Sequence, residues 1–162
     1  MNQETNKISI RHNTRALALS VMYSLDINNN LFLEEDKNVV LENVLSDVLA
    51  MSQTEFFTDE FPTLYNQEFL RTLTSKCYLE IASVDEIISK SLVKYTIDRL
   101  SFVDRAIIRV ATAEMLIGET PRNIIIDEAL ELTKELTNIE NDQQVKFNNR
   151  LLDNIAREIY GK

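Results

Sequence analysis

Apolar residues recur at three- and four-residue steps along most of this chain, which is the spacing of an amphipathic α-helix. The pattern predicts a first helix over residues 12–27 and a second over residues 34–53. A long helix is predicted over residues 66–90, with a short element through residues 92–97 after it. The segment 54–63, which carries three phenylalanines among acidic residues, is predicted to be a loop.

The second half of the chain contains recognisable helix ends. Ser101 is predicted to cap a helix, because a serine oxygen accepts a hydrogen bond from a free amide of the first turn. Gly118 is predicted to end that helix, and the proline of Thr120-Pro121 suits the start of the next one. A polar linker over residues 137–143 is expected to precede a final helix.

The composition agrees with a purely helical protein. The 162 residues include only 2 Gly and 2 Pro, so architectures built from strands and tight turns are poorly supported. We therefore predict an all-α fold, a compact bundle of six or seven helices, in a single domain spanning residues 1–162. The first ten residues are expected to be flexible.

The sequence contains neither a secretory signal nor an apolar run of the roughly 18 residues that a spanning helix needs. The expected location is therefore the cytoplasm, without a membrane contact. The single cysteine, Cys77, lies in a helical run and is interpreted as a small buried apolar residue rather than a reactive thiol.

Charge is distributed unevenly along the chain. The net charge of −9 argues against a general nucleic-acid binder with a pervasive basic field. Residues 1–25 carry three basic residues and one acidic residue, whereas residues 26–70 carry one basic residue and ten acidic ones. The contrast is compatible with an anionic ligand held at the basic end, and equally with ordinary surface composition.

Catalytic motifs are absent from the sequence. It has no glycine-rich phosphate loop, no metal-ligand spacing and no nucleophile elbow, and His12 is its only histidine. Glu114 interrupts an apolar stripe, and we interpret it as a buried acid paired with a base rather than as a catalytic group. The protein is therefore predicted to be no enzyme and to use no cofactor or metal.

The final helix, VKFNNRLLDNIAREIYGK, has an unusual pattern. Asn149 is predicted to fall in the apolar stripe with Val145 and Leu152, where we expect its amide to bond to a helix end or loop, since an unpaired buried amide costs about 1–3 kcal/mol. Phe147 falls off that stripe beside Lys146. Core packing is the ordinary interpretation of such a phenylalanine.

Four segments in order resemble a known family. They are a basic first-helix start that runs to Tyr23, then VDRAIIRVATAEML, then PRNIIIDEALELTKEL, and then KFNNRLLDNIA. Together they resemble the bacterial transcription antitermination factor NusB family. The resemblance covers residues 11–26 and 97–157, while residues 27–90 match only in helical character.

The resemblance implies a fold of two packed helical sub-bundles and a function without catalysis. Family members bind a short single-stranded boxA-type RNA together with a ribosomal small-subunit protein called NusE, and the complex joins elongating RNA polymerase. By position, Asp104 matches an acidic residue of the NusE-binding surface. The residues that match the family's RNA-binding positions are Arg11, His12, Arg15, Tyr23, Lys146 and Phe147.

From this resemblance we expect a joint cradle for an unpaired strand, in which the start of the first helix meets the start of the last. Phe147 would stack on a base, an interaction that contributes about 1–3 kcal/mol. Lys146 and Arg150 would supply cations beside it, and Arg11 and Arg15 would complete the cradle.

The chain also departs from the family pattern. The run of consecutive arginines is reduced to Arg11-His12-Asn13 with Arg15 after it, and Arg150 replaces the usual glycine. Fewer fixed cations predict weaker and less salt-dependent RNA binding. One alternative is a NusB-like protein-interaction module that has lost RNA binding, and another is a homodimer that covers its own RNA face. A third, the N-terminal module of a ribosomal RNA methyltransferase, is disfavoured by the absence of a catalytic domain before Lys162.

Overall fold

The computed structural model describes residues 3–52, 64–137 and 142–161, and these ranges fold into α-helices without a β-strand. The predicted all-α class is therefore confirmed for the described part of the chain. A 3₁₀ turn at Ile97–Arg99 precedes the fifth helix. The seven helices are α1 (Gln3–Ile27), α2 (Lys37–Ser52), α3 (Gln67–Leu79), α4 (Ile81–Ser91), α5 (Phe102–Ile117), α6 (Arg122–Leu136) and α7 (Asp142–Tyr160).

Helix α5 lies at the centre of the molecule. It packs against five of the six other helices, α1, α3, α4, α6 and α7. All ten residues from Ala106 to Met115 are buried, so this helix has no solvent-facing stripe over most of its length. Because α1, α2 and α3 also contact one another, as do α7 and its neighbours α4 and α6, the helices form two groups that share α5.

Several helix boundaries differ from those predicted. Helix α1 begins at Gln3 rather than near residue 12, since no Gly or Pro interrupts the helix-compatible residues before Arg11. Helix α2 begins at Lys37 rather than residue 34. Asp36 immediately before it has a φ of +64°, a left-handed conformation that cannot belong to a right-handed helix.

The long helix predicted over residues 66–90 is divided in two at Glu80. The backbone of Glu80 leaves the helical region at φ −115° and ψ 32°, and the Tyr78 carbonyl accepts a hydrogen bond of 2.7 Å from Lys37 Nζ. A donor from another helix thus compensates part of the interrupted ladder. The predicted loop over residues 54–63 lies outside the described residues, and α7 begins at Asp142, inside the predicted linker.

Both predicted ends of α5 are confirmed. Ser101 Oγ accepts a hydrogen bond of 3.1 Å from the Asp104 backbone amide, which satisfies a free donor of the first turn. Gly118 ends the helix at φ +78°, a conformation that glycine adopts without a side-chain clash. The cap at Ser101 also fixes the backbone from which Asp104 projects.

Buried charges join α5 to its neighbours. Arg109, which is 3% exposed, donates to Asp85 of α4 through Nε and Nη2 and to Asp26 of α1 through Nη1, at 2.9–3.0 Å. Burial by itself lowers the pKa of Arg109, but these carboxylates outweigh it and raise the pKa above its ordinary value. Cys77 is fully buried as predicted, and burial raises the pKa of its thiol. No helix in the described ranges has the length and apolar character needed to cross a membrane.

Candidate nucleic-acid interface

The first two turns of α7 present a phenylalanine between two cations. Lys146 and Arg150 are four residues apart, so they share a face of the helix, and both are exposed. Phe147 is half-buried, with one part of the ring packed on the core. Its ring meets the ring of Tyr95 edge to face, with centroids 6.2 Å apart and planes inclined by 65°.

These residues line a cavity of about 710 Å³. Arg99 of the 3₁₀ turn lines the same cavity. We call the surface formed by Tyr95, Arg99, Lys146, Phe147 and Arg150 the aromatic notch. No salt bridge among the described residues involves its three cations, so their charges are available to an anionic ligand.

A second cavity of about 460 Å³ adjoins the first. Both cavities are lined by Tyr95, Phe147 and Arg150, and the second adds Lys94 and Asn154. Sequence analysis missed Tyr95, Lys94 and Arg99, because their segment showed only a short apolar element. The signal was present as an aromatic residue between cations in KYTIDR.

A network of buried polar groups forms the floor of the notch. Asp104, which is 6% exposed, accepts hydrogen bonds from Ser101 Oγ at 2.7 Å and from Asn148 Nδ2 at 3.1 Å. Asn148 also donates to Thr133 Oγ1 and accepts from Gln144 Nε2. Asp104 therefore fastens α5 to α7 from a largely buried position, and its assignment to a partner-binding surface stays a prediction.

The structure also corrects the predicted stripe of α7. Asn149 is exposed, and its neighbour Asn148 is fully buried. The buried side of the helix continues through Leu151 and Leu152. The expected amide in the core is therefore present, but one position earlier, and its partners lie in the first turn of α5 and the last turn of α6, which agrees with the expected bond to a helix end.

Arg15 is a structural residue in this fold. Its Nε and Nη2 donate to the two carboxylate oxygens of Glu114 at 2.8 and 2.7 Å, and the two side chains are 5% and 2% exposed. The predicted paired acid is thus confirmed. The guanidinium is paired within the fold rather than presented to solvent, and the cradle that combines Arg15 with Phe147 stays a prediction. On α5, Glu114, which pairs with Arg15, and Asp104, which accepts from Asn148 beside Phe147, are ten residues apart, or about 15 Å along the helix.

Arg11 and His12 of α1 also have internal contacts. The Arg11 guanidinium lies 3.9 Å from the centroid of the Phe69 ring. His12 bridges two carboxylates of α6, with Nδ1 at 2.6 Å from Glu128 and Nε2 at 3.0 Å from Glu135. Burial by itself lowers the pKa of His12, but the hydrogen bonds and charges of these carboxylates raise the pKa above 6.5.

Tyr23 lies outside the aromatic notch. Its ring meets Phe102 edge to face at 6.4 Å and lines a mostly apolar groove of about 430 Å³ between α1, α2 and the end of α6. Ile27 and Leu136 of this groove are 44% and 51% exposed. Of the residues assigned to RNA, the structure therefore brings together Lys146, Phe147 and Arg150, and it places those of α1 elsewhere.

Comparison with known proteins gives a consistent result. Residues 12–157 match the NusB family. The transcription antitermination protein NusB of Sulfurimonas denitrificans is 28% identical over 151 residues, which cover 93% of this chain and 99% of that protein. The protein of the same name from Staphylococcus aureus strain MRSA252 is 38% identical over 117 residues, covering 72% of this chain and 88% of that one.

Solved structures share the fold. A crystal form of T. maritima NusB superposes with a TM-score of 0.68 at 28% identity and covers 91% of each chain. A chain from a complex described as antitermination factors NusB and NusE with dsRNA superposes with a TM-score of 0.60 at 23% identity, covering 90% of this chain and 95% of that one. The second likeness supports the helical architecture alone.

Proposed function

This chain belongs to the NusB family, and from that membership we propose that it is a transcription antitermination factor. It binds single-stranded boxA-type RNA together with NusE, the ribosomal small-subunit protein, and acts in the complex of elongating RNA polymerase. In this function it is a binding protein without a catalytic step, a cofactor or a metal.

The aromatic notch is the observation that carries the RNA-binding part of the proposal. Single-stranded RNA is held by cations on its backbone and by aromatic rings stacked on its bases. Phe147 and Tyr95 supply two partly exposed rings within one cavity, and Arg99, Lys146 and Arg150 surround them without salt bridges in the described ranges. Core packing alone does not explain why an exposed ring and three cations without salt bridges surround Phe147.

Helix α1 contributes less to this function than its arginine motif suggests. Arg15 is engaged by Glu114, and His12 lies between two carboxylates that oppose the approach of phosphate. Arg11, His12 and Tyr23 remain predicted RNA contacts that the notch does not include. We therefore place the principal RNA contacts on α7 and the segment before α5.

The test is fluorescence anisotropy with a short labelled boxA-type RNA, with and without the ribosomal protein. We expect wild-type protein to bind and the partner to strengthen binding. Phe147→Ala should weaken binding about 5- to 150-fold, which corresponds to the loss of about 1–3 kcal/mol of base stacking.

The matched control is Phe32→Ala, since Phe32 is 62% exposed and lies far from α7 in the sequence, in the turn after α1. The Phe32→Ala variant should bind the labelled RNA with the same affinity as wild type. Equal weakening by the two substitutions would contradict the assignment of the notch, and turnover of RNA or nucleotide would contradict the absence of a catalytic step.

The second candidate is a NusB-like interaction module that binds the ribosomal protein and has lost RNA binding. The internal pairing of Arg15 and His12 favours it, because two of the few α1 cations are neutralised within the fold. The groove beside Tyr23 offers an apolar surface next to Asp47 that suits a basic protein. Partner binding that is unaffected by RNA would favour this candidate, and Ile27→Glu in the groove should then abolish it.

A further inference from the structure

Packing of the core does not explain the position of the Tyr95 ring. Its side chain is 53% exposed, although a tyrosine ring is a large apolar body that folding normally covers. It stands in the segment between α4 and the 3₁₀ turn, and its aromatic contact in the described structure is the edge-to-face meeting with Phe147. The cation Lys94 precedes it, and Arg99 follows one short turn later.

The two cavities of the notch meet along this pair of rings. Tyr95, Phe147 and Arg150 line both, whereas all their other lining residues differ. The volumes of about 710 and 460 Å³ lie within the range of about 300–1,000 Å³ that is typical of small-ligand sites. The rings therefore separate two compartments, each large enough for a planar heterocycle.

Each compartment has its own cations, and one cation serves both. Arg99 and Lys146 line the larger compartment, Lys94 lines the smaller one, and Arg150 lines the two. A nucleic-acid strand that crosses the rings carries a phosphate between successive bases. Arg150 is placed for that phosphate, because a guanidinium binds phosphate oxygens through several donors.

We infer that the notch holds two consecutive nucleotides in a splayed arrangement, one base on Tyr95 and the next on Phe147, with the intervening phosphate on Arg150. This inference rests on the proposed RNA-binding function and adds Tyr95 as a second stacking residue. The ring planes are inclined by 65°, so two bases stacked on them cannot remain parallel to each other. Paired RNA keeps neighbouring bases stacked and parallel, and the notch therefore selects unpaired RNA.

The experiment combines protein variants with abasic substitution along the RNA. Affinities of wild type, Tyr95→Ala and Phe147→Ala are measured by anisotropy for the intact strand and for strands with one base removed at each position. We expect Tyr95→Ala to weaken binding of the intact strand about 5- to 150-fold, as for loss of one stacked base, and Tyr95→Phe to retain affinity.

The positional result is decisive. With the base removed at one position, Tyr95→Ala should no longer change the RNA affinity. With the base removed at the adjacent position, Phe147→Ala should no longer change it, because each abasic position lacks the base that the ring contacts. For the same sequence in a duplex, Tyr95→Ala should change affinity less than twofold. Urea unfolding should show Tyr95→Ala to be as stable as wild type, since the ring is largely exposed.

Failure of the inference is distinguishable from failure of the function. If wild type binds RNA and Phe147→Ala weakens it while Tyr95→Ala does not, the two-nucleotide arrangement is wrong and RNA binding stands. The arrangement is also overturned if the same abasic position abolishes the effect of both substitutions on RNA affinity, or if the two positions that do so are not adjacent. If wild type does not bind RNA with or without the ribosomal protein, both proposals fall.

Discussion

Arg15 and Glu114 form a bidentate pair from which solvent is almost excluded. Substituting one partner leaves the other as a buried charge without compensation, which typically destabilises a protein by about 3–5 kcal/mol. We expect Arg15→Ala to lower the free energy of unfolding by about that amount in urea denaturation. Loss of RNA binding by this variant would then report unfolding rather than a lost contact.

Arg71→Ala provides the matched control, since Arg71 forms a comparable bidentate pair with Glu42 at an exposed position. Solvent screens that pair, so we expect little change in stability. A double variant, Arg15→Met with Glu114→Met, should recover much of the loss. Equal effects of Arg15→Ala and Arg71→Ala would contradict the structural role.

His12 should make stability depend on pH. Its folded-state pKa is raised above 6.5, so its contribution is fully present below about pH 6.5 and is lost as pH rises through the folded-state pKa. In urea unfolding, His12→Gln should therefore be more destabilising at about pH 5.5 than at about pH 9.

The control for this prediction is Glu135→Gln, which removes one of the two carboxylates that hold the imidazolium. In this background, the destabilisation caused by His12→Gln should differ less between about pH 5.5 and about pH 9. If His12→Gln destabilises the wild-type protein equally at both pH values, the stabilisation comes from the hydrogen bonds of His12 and not from its charge.

The sequence identified several important residues but not their partners in the fold. Glu114 was predicted to be a paired acid because it interrupts an apolar stripe, but its partner lies 99 residues away and no local pattern names it. Arg15 was assigned to RNA by resemblance alone. Lys146, Phe147 and Arg150 could be grouped because they are neighbours in one helix, whereas Tyr95 reaches them only through tertiary packing.

At the scale of the element, α7 differs from its predicted orientation by one residue. Asn148 holds Asp104 and Thr133, and Asn149 beside it faces solvent. We expect Asn148→Ala to lower the free energy of unfolding by about 1–3 kcal/mol, because it leaves a buried carboxylate oxygen without its donor. Thermal and urea denaturation measure the effect.

The neighbouring substitution Asn149→Ala is the control. It changes an exposed helical position, where most substitutions stay within about 0.5 kcal/mol of wild type. If Asn149→Ala were the more damaging of the two, the described register of α7 would be wrong.

The helix break at Glu80 illustrates why element boundaries were harder to predict than element types. No Gly or Pro marks residue 80, and apolar residues continue through it with helical spacing. The division depends on contacts from elsewhere, including Lys37 on the Tyr78 carbonyl. By contrast, the ends of α5 are set by Ser101 and Gly118 themselves, and both were predicted correctly.

For the whole molecule, we expect the net charge of −9 to confine a bound RNA strand to a small basic surface. Each phosphate contact on a single strand contributes about −0.7 to the slope of log affinity against log salt. Three or four phosphate contacts made by the four cations of the two compartments therefore predict a slope of about −2 to −3, and Arg150→Ala should reduce its magnitude by about 0.7.

Titration across a salt series measures this slope. Lys90→Ala is the control, since Lys90 is exposed and pairs with Glu86 on α4. A slope much steeper than −3 for wild type would contradict confinement of the strand to the notch and would bring Arg11 and other cations of α1 back into the interface.

The central position of α5 has a consequence for how the molecule opens. Helix α5, with ten successive buried residues from Ala106 to Met115, contacts both groups of helices, so separation of either group would expose the part of α5 that the group covers. Amide protons in this stretch should exchange with deuterium only when the entire chain loses its structure. Their exchange rates should then report the same free energy as chemical denaturation, and neither half should survive as an independently protected fragment.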